Sequence, residues 1–181
     1  MEFIRTDLEG IILLKPDVHA DERGFLLESY SQVRFADGGI DVTFVQDNHS
    51  RSAKKGVLRG LHFQVPPVAQ SKLIRVTRGA IYDVVVDLRK SSPTYGKWRS
   101  FDLSAENFQQ LFVPAGFAHG FCTLEENTEV QYKVDSPYSP AHDCGIRWND
   151  PDLAIVWPIK EPILSAKDHD LPYFKDFTSP F

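Results

Sequence analysis

The segment from Gly56 to Gly79, GVLRGLHFQVPPVAQSKLIRVTRG, sets one histidine, His62, among apolar strand residues, with Arg59 three places before it and Lys72 ten places after. Leu58, Gly60, His62 and Gln64 alternate and would share one face of a strand. An imidazole in such a place is either a core histidine satisfied by a neighbour or a general base, since its charge changes near neutral pH. Lys72 favours the second reading, because an apolar wall rarely encloses two cationic groups without purpose. A second histidine, His119, lies in PAGFAHGF, where a Pro-x-Gly turn delivers it to the start of another strand. A metal centre needs three or more converging N, O or S ligands. The position two after His62 holds Gln64, and no glutamate follows before Gly79, so we read the site as one without a metal.

A histidine base works best when a carboxylate fixes its tautomer and stabilises the imidazolium. Asp168 in LSAKDHD is a candidate, but Ser165-x-x-Asp168 is equally a capping box for a short helix, and spacing leaves both roles open. Tyr132 in EVQYKV shares a strand face with Val130 and Val134, which is packing by default. Its hydroxyl also carries a transferable proton at neutral pH. Tyr138, in the proline-flanked turn DSPYSP, could lay its ring on a flat ligand. Arg23 and Arg59, each followed by glycine, could reach a phosphate or simply sit at the surface. Arg59 and His62 differ by an odd number of positions, so an unbroken strand would face them oppositely. If both serve one site, Gly60 must permit a bulge or the arginine must reach round an edge.

The elements that would carry these residues are strands. Ten short runs, from GIILLKPDV to TEVQYKV, are punctuated by Gly, Pro, Asn or Ser, and no helical spacers of βαβ type separate them. VTRGAIYDVV reads as a hairpin pivoting near Gly79, and YSQVRFADGG as a short helix stopped by a glycine pair. Four prolines follow from Pro158 to Pro180, marking an irregular or helical tail from about residue 158. The expectation is an all-β, jelly-roll-like barrel with a few short helices, in a single domain over residues 1–181. A formal charge of −5 argues against a nucleic-acid partner. No apolar run approaches the ~18 residues that span a membrane, and the N-terminal stretch has no signal-peptide core. With only Cys122 and Cys144, we expect two ordinary thiols in a cytoplasmic protein.

Taken together, the motifs resemble one family. PAGFAHGF contains the core of the second cupin motif. RGLHFQ, VDLRKSSPTYGKW and PAGFAHGF in this order, with DERGFLLESY, FVQDNHSRS, YKVDSPYSPAHDCGIRWNDP and LSAKDHDLP, resemble the dTDP-4-dehydrorhamnose 3,5-epimerases, cofactor-free members of the cupin superfamily. That resemblance implies a jelly roll that dimerises by exchanging strands, acting on dTDP-4-dehydro-6-deoxy-D-glucose and needing no cofactor. It implies His62 as the base with Asp168 as its partner, Tyr132 as the proton donor, and Lys72 near the C4 oxygen. It places Arg23, Glu28, Gln46, Asp47, Asn48, Arg59, Lys72, His119, Asp143 and Lys167 on the substrate, and Tyr138 on the thymine. The consecutive Gln46, Asp47 and Asn48 cannot all share one strand face; a strand end, a bulge or backbone contacts would be needed. The alternatives are an epimerase acting at C3 or C5 only, a sugar-nucleotide binder without turnover, or a metal-dependent cupin.

Overall fold

The computed structural model describes residues 1–181. Its strands are β1 (Glu2–Arg5), β2 (Ile12–Lys15), β3 (Val18–Asp21), β4 (Gly24–Leu27), β5 (Gln46–Ser52), β6 (Leu58–Gln64), β7 (Lys72–Arg78), β8 (Ala80–Asp87), β9 (Trp98–Ser104), β10 (Gln110–Val113), β11 (Phe117–Thr123), β12 (Thr128–Val134) and β13 (Asp143–Gly145). Helix α1 (Gln32–Asp37) lies between β4 and β5, and α2 (Ala166–His169) follows β13. Each of the ten expected runs carries one strand. The other three strands, β1, β3 and β13, are 4, 4 and 3 residues long and are not among the expected runs.

Two antiparallel sheets make the jelly roll. One has the order β1-β2-β10-β7-β12-β5, the other β13-β6-β11-β8-β9, and β3 with β4 forms a hairpin of its own. Ile74, Val76 and Val130 of the first sheet meet Ile81, Val85, Phe117 and Phe121 of the second in the main core. The opposite face of the second sheet is also covered: Val84, Val86, Ala118, Leu61 and Phe63 pack against Ile146 and Leu153 of the C-terminal segment. Burial on both faces is why β8 and β11 read as nearly continuous apolar runs instead of alternating ones.

The expected turn at Gly79 is present but joins no hairpin. β7 pairs with β10 and β12, while β8 pairs with β9 and β11. Gly79, at φ 73°, therefore turns the chain from one sheet into the other, and a side chain there would run into Thr128. Local sequence marks the turn and cannot say which strand each arm will pair with. The helix expected over YSQVRFADGG forms as α1, with Gly38 as its C-cap.

At the end of β8, Asp87 closes a polar knot. It is fully buried and accepts hydrogen bonds from Arg89 Nη2 at 2.7 Å, Ser92 Oγ at 2.6 Å and Thr94 Oγ1 at 2.7 Å. Burial alone would raise this carboxyl, but the hydrogen bonds led by Arg89 outweigh it and bring its pKa down to about 2. A lowered folded-state pKa means stability present above the ordinary value of 3.8 and lost as pH falls through about 2. Asp87→Ala should accordingly destabilise the fold by about 3 kcal/mol at neutral pH. In urea unfolding, the gap between wild type and variant should narrow as pH falls from 4 toward 2; a gap independent of pH would refute this account.

Candidate active site

Between the sheets, at one end of the barrel, lies a cavity of about 300 Å³ lined by His62, Lys72, His119, Tyr132, Tyr138 and Asp168, among others. His62 sits on β6 and is half-buried; its Nε2 is 2.5 Å from Asp168 Oδ1. With Asp168 accepting the hydrogen bond from Nε2–H, the lone pair is left on Nδ1. Asp168 also accepts a hydrogen bond from Ser165 Oγ at 2.7 Å through its other oxygen, Oδ2. Its own backbone N–H donates to Ser165 Oγ at 3.2 Å, so Ser165 caps α2. Asp168 thus both meets His62 through its side chain and closes the Ser165 cap through its backbone N–H. Burial acts to raise the Asp168 carboxyl, but the hydrogen bonds from His62 and Ser165 prevail and hold it below the usual range.

Helix α2 owes its place to Arg147, which sequence reasoning passed over. Its Nη2 donates to His169 O at 2.6 Å, its Nε to Leu171 O at 3.2 Å and its Nη1 to the Tyr173 hydroxyl at 3.1 Å. Asp150 adds a second tie by accepting from the Phe174 N–H at 2.6 Å. An arginine in GIRWND shows no periodicity or spacing that would reveal such a role.

Lys72, on β7, is almost wholly buried and donates to the His62 carbonyl at 3.1 Å. Loss of hydration brings its pKa down to about 8, against the pull of Asp83 and Asp143. Tyr132 faces the cavity from β12. Burial pushes its phenol up, Arg59 draws it down and Asp143 raises it again, with a net rise, so the hydroxyl keeps its proton at neutral pH. Tyr138 is exposed and donates its hydroxyl proton to Asp143 Oδ2 at 2.9 Å, while Lys167 Nζ reaches the same oxygen at 2.5 Å. Gln64 braces the turn that carries Tyr138: its amide nitrogen donates to Val68 O at 2.7 Å and its Oε1 accepts from the Ser139 N–H at 2.7 Å. No group of three or more His, Cys, Asp or Glu side chains is arranged to hold a metal ion.

The spacing problem at Arg59 and His62 is resolved by a register shift. His62 pairs with His119, yet Arg59 pairs with Phe121. Gly60, at φ 128°, lies against Gly120, and a β-carbon there would come within 2.5 Å of Gly120 Cα. The irregularity brings Arg59 and His62 to one cavity. Gln46 and Asn48 share the inner face of β5, joined by a hydrogen bond of 3.0 Å. Asp47 turns to the outer face and pairs with Lys133 at 2.8 Å. Arg23 and Glu28 also stand outside the cavity. Arg23, at the β3–β4 turn, pairs with Asp21, and Glu28 accepts from Arg34 at 3.2 Å.

A two-sheet barrel with an imidazole–carboxylate pair, a phenol and a buried ammonium round one mouth defines a jelly-roll protein built for proton transfer on a small molecule. The family model for dTDP-4-dehydrorhamnose 3,5-epimerase matches residues 5–176, and the chain belongs to that family. It is 53% identical over 173 residues to the dTDP-4-dehydrorhamnose 3,5-epimerase of Escherichia coli (strain K12), covering 94% of this chain and 93% of that one. The crystal structure of dTDP-4-dehydrorhamnose 3,5-epimerase from Bacillus anthracis str. Ames with TDP and PPi bound superposes with a TM-score of 0.94 at 55% identity, covering 96% of this chain and 99% of that one. The dTDP-6-deoxy-D-glucose-3,5-epimerase of Legionella pneumophila Philadelphia 1, in complex with dTDP-4-keto-L-rhamnose, gives 0.92 at 43% identity, covering 96% of this chain and 93% of that one.

The cap on α2 has a measurable consequence. Ser165→Ala should cost about 1 kcal/mol of stability, read in thermal unfolding. It should also widen the spread of α2 positions, seen as faster amide exchange at Asp168 and His169. Unchanged stability and exchange would show that Arg147 alone sets the helix.

Proposed function

We propose that this chain epimerises C3 and C5 of dTDP-4-dehydro-6-deoxy-D-glucose to give dTDP-4-dehydro-L-rhamnose, by proton transfer between side chains and the sugar. The observation that carries the reading is the placing of His62, with its carboxylate, opposite Tyr132 across one cavity. They stand on different sheets, so a sugar ring held in the mouth lies between a base and an acid. His62 removes a proton beside the C4 ketone through its free Nδ1, and Asp168 stabilises the imidazolium. The electron pair moves onto the ketone oxygen, whose charge the Lys72 ammonium stabilises. Tyr132 returns a proton from the other face, inverting the carbon. A placed base contributes roughly 10²–10⁴-fold, and a donor to the developing oxyanion about 10²–10³-fold. His119, Arg59, Gln46, Asn48, Asp143 and Lys167 surround the rest of the ligand, and the exposed ring of Tyr138 stacks on the thymine.

Arg23 and Glu28 complete the site in a homodimer. Their hairpin exposes Phe25 and Leu26, and crossing into a second copy would bury this apolar surface while carrying Arg23 and Glu28 to that copy's cavity. The cytoplasm is the proposed compartment, since Cys122 and Cys144 are free thiols. No helix is long and apolar enough to cross a membrane.

The decisive measurement is proton NMR of dTDP-4-dehydro-6-deoxy-D-glucose turning over in deuterium oxide. Signals at both C3 and C5 should disappear as the L-sugar forms. Loss at one carbon would establish the narrower epimerase, and no exchange with binding retained would establish a binder. His62→Ala should abolish exchange at both carbons in a folded protein, whereas Tyr132→Phe should slow inversion more than binding. For the dimer, His62→Ala and Arg23→Ala chains, each impaired alone, should recover activity when refolded together, because one site of the mixed dimer is then intact. No recovery would place Arg23 in its own chain's site.

A further inference from the structure

Asp83 occupies the middle of β8 on the face turned into the barrel, between Ile81 and Val85 of the main core. It is fully buried, which a carboxylate almost never is unless paired. Its Oδ2 accepts a hydrogen bond from His119 Nε2 at 2.8 Å, while its Oδ1 is buried with no hydrogen-bond partner. Leaving such an oxygen unsatisfied is costly, and an apolar side chain would fill the place at no such cost. The expense has a counterpart only at the mouth above it. His119 lines the cavity and is the ladder partner of His62, so two imidazole–carboxylate pairs stand side by side. Lys72 is buried in the same interior and feels the charge of Asp83 more strongly than any other.

We propose that Asp83 is a positioning residue for the epimerisation: it holds His119 with Nε2–H inward and Nδ1 open to the substrate, and it supplies the buried negative charge that balances the Lys72 ammonium. The inference rests on the function proposed above. The groups facing Lys72 are Asp83 on β8, His119 on β11, Tyr132 on β12, Asp143 on β13, Lys167 on α2 and the His62–Asp168 pair. Asp143 is already engaged by Tyr138 and Lys167, and Asp168 by His62 and Ser165. Asp83 keeps a fully buried oxygen free of hydrogen bonds to answer the lysine. Burial pushes the Asp83 carboxyl up against the pull of His119 and Lys72; as carboxylate and ammonium, Asp83 and Lys72 cancel. The open Nδ1 of His119 then accepts a hydrogen bond, which suits a sugar hydroxyl.

Two readouts test this. The ammonium is present below the Lys72 pKa of about 8 and lost above it, so kcat/KM of the wild type should fall as pH rises through that value. In Asp83→Asn the fall should move to lower pH by about 1–3 units, the effect of removing a nearby opposite charge, with the smallest loss of rate at the acid end. A merely structural aspartate would lower the melting temperature and leave the limb where it was, and that result would overturn the proposal. Nitrogen NMR of the wild type's ring-labelled histidines gives an answer independent of turnover and of whether the variant folds. His119 should show a protected Nε2–H and an unprotonated Nδ1; the opposite tautomer would refute the positioning role. If the wild type exchanges no substrate protons, the proposed function fails, while the His119 tautomer still judges Asp83 separately.

Discussion

Charge must be kept at the mouth of a barrel whose interior is otherwise hydrocarbon, and the surrounding structure is arranged to make that tolerable. An ammonium or carboxylate withdrawn from water is costly unless hydrogen bonds and opposite charge replace its hydration. Each charged group in the cavity has such compensation. Asp168 is met by an imidazole and a hydroxyl, Asp143 by a phenol and an ammonium, and Lys72 by a backbone carbonyl and nearby carboxylates. These partners come from both sheets and from the C-terminal segment. The jelly roll thus acts as a frame on which charges from distant parts of the chain are brought within hydrogen-bonding reach.

Much of this is written in the sequence as residue type, and much less as position. His62, Lys72, His119 and Tyr132 lie in runs that alternate or read as buried strands, and such runs became strands. The odd spacing of Arg59 and His62 left a bulge at Gly60 or a reach round an edge as the alternatives, and the ladder shifts register there. The same alternation rule correctly forbade Gln46, Asp47 and Asn48 a common face; Asp47 is the one turned outward. Pairing was not legible. The turn at Gly79 looked local, but its two arms belong to different sheets, and which strands join is decided by contacts far apart in the chain. Arg147 and Asp83 escaped notice for a related reason. Their importance lies wholly in what the fold places beside them, and nothing in their neighbours along the chain announces it.

The irregular backbone between β6 and β11 shows how a small deviation serves the site. Gly60 and Gly120 approach so closely that no side chain fits between them. That contact lets β6 pair with β11 in two different registers on either side of it. A regular ladder would have set the guanidinium of Arg59 and the imidazole of His62 on opposite faces of the sheet.

The separation of His62 from Asp168 by 106 residues bears on how the molecule comes into being on the ribosome. Every strand of both sheets, through Gly145, is synthesised before α2. A nascent chain can therefore assemble the barrel while its histidine still lacks a carboxylate and the outer face of β8 and β11 lies bare. That uncovered apolar sheet is the surface a chaperone would recognise. Arrival of the Arg147-anchored segment covers it and supplies Asp168 together. The same C-terminal segment therefore both covers the outer face of β8 and β11 and carries the carboxylate to the histidine.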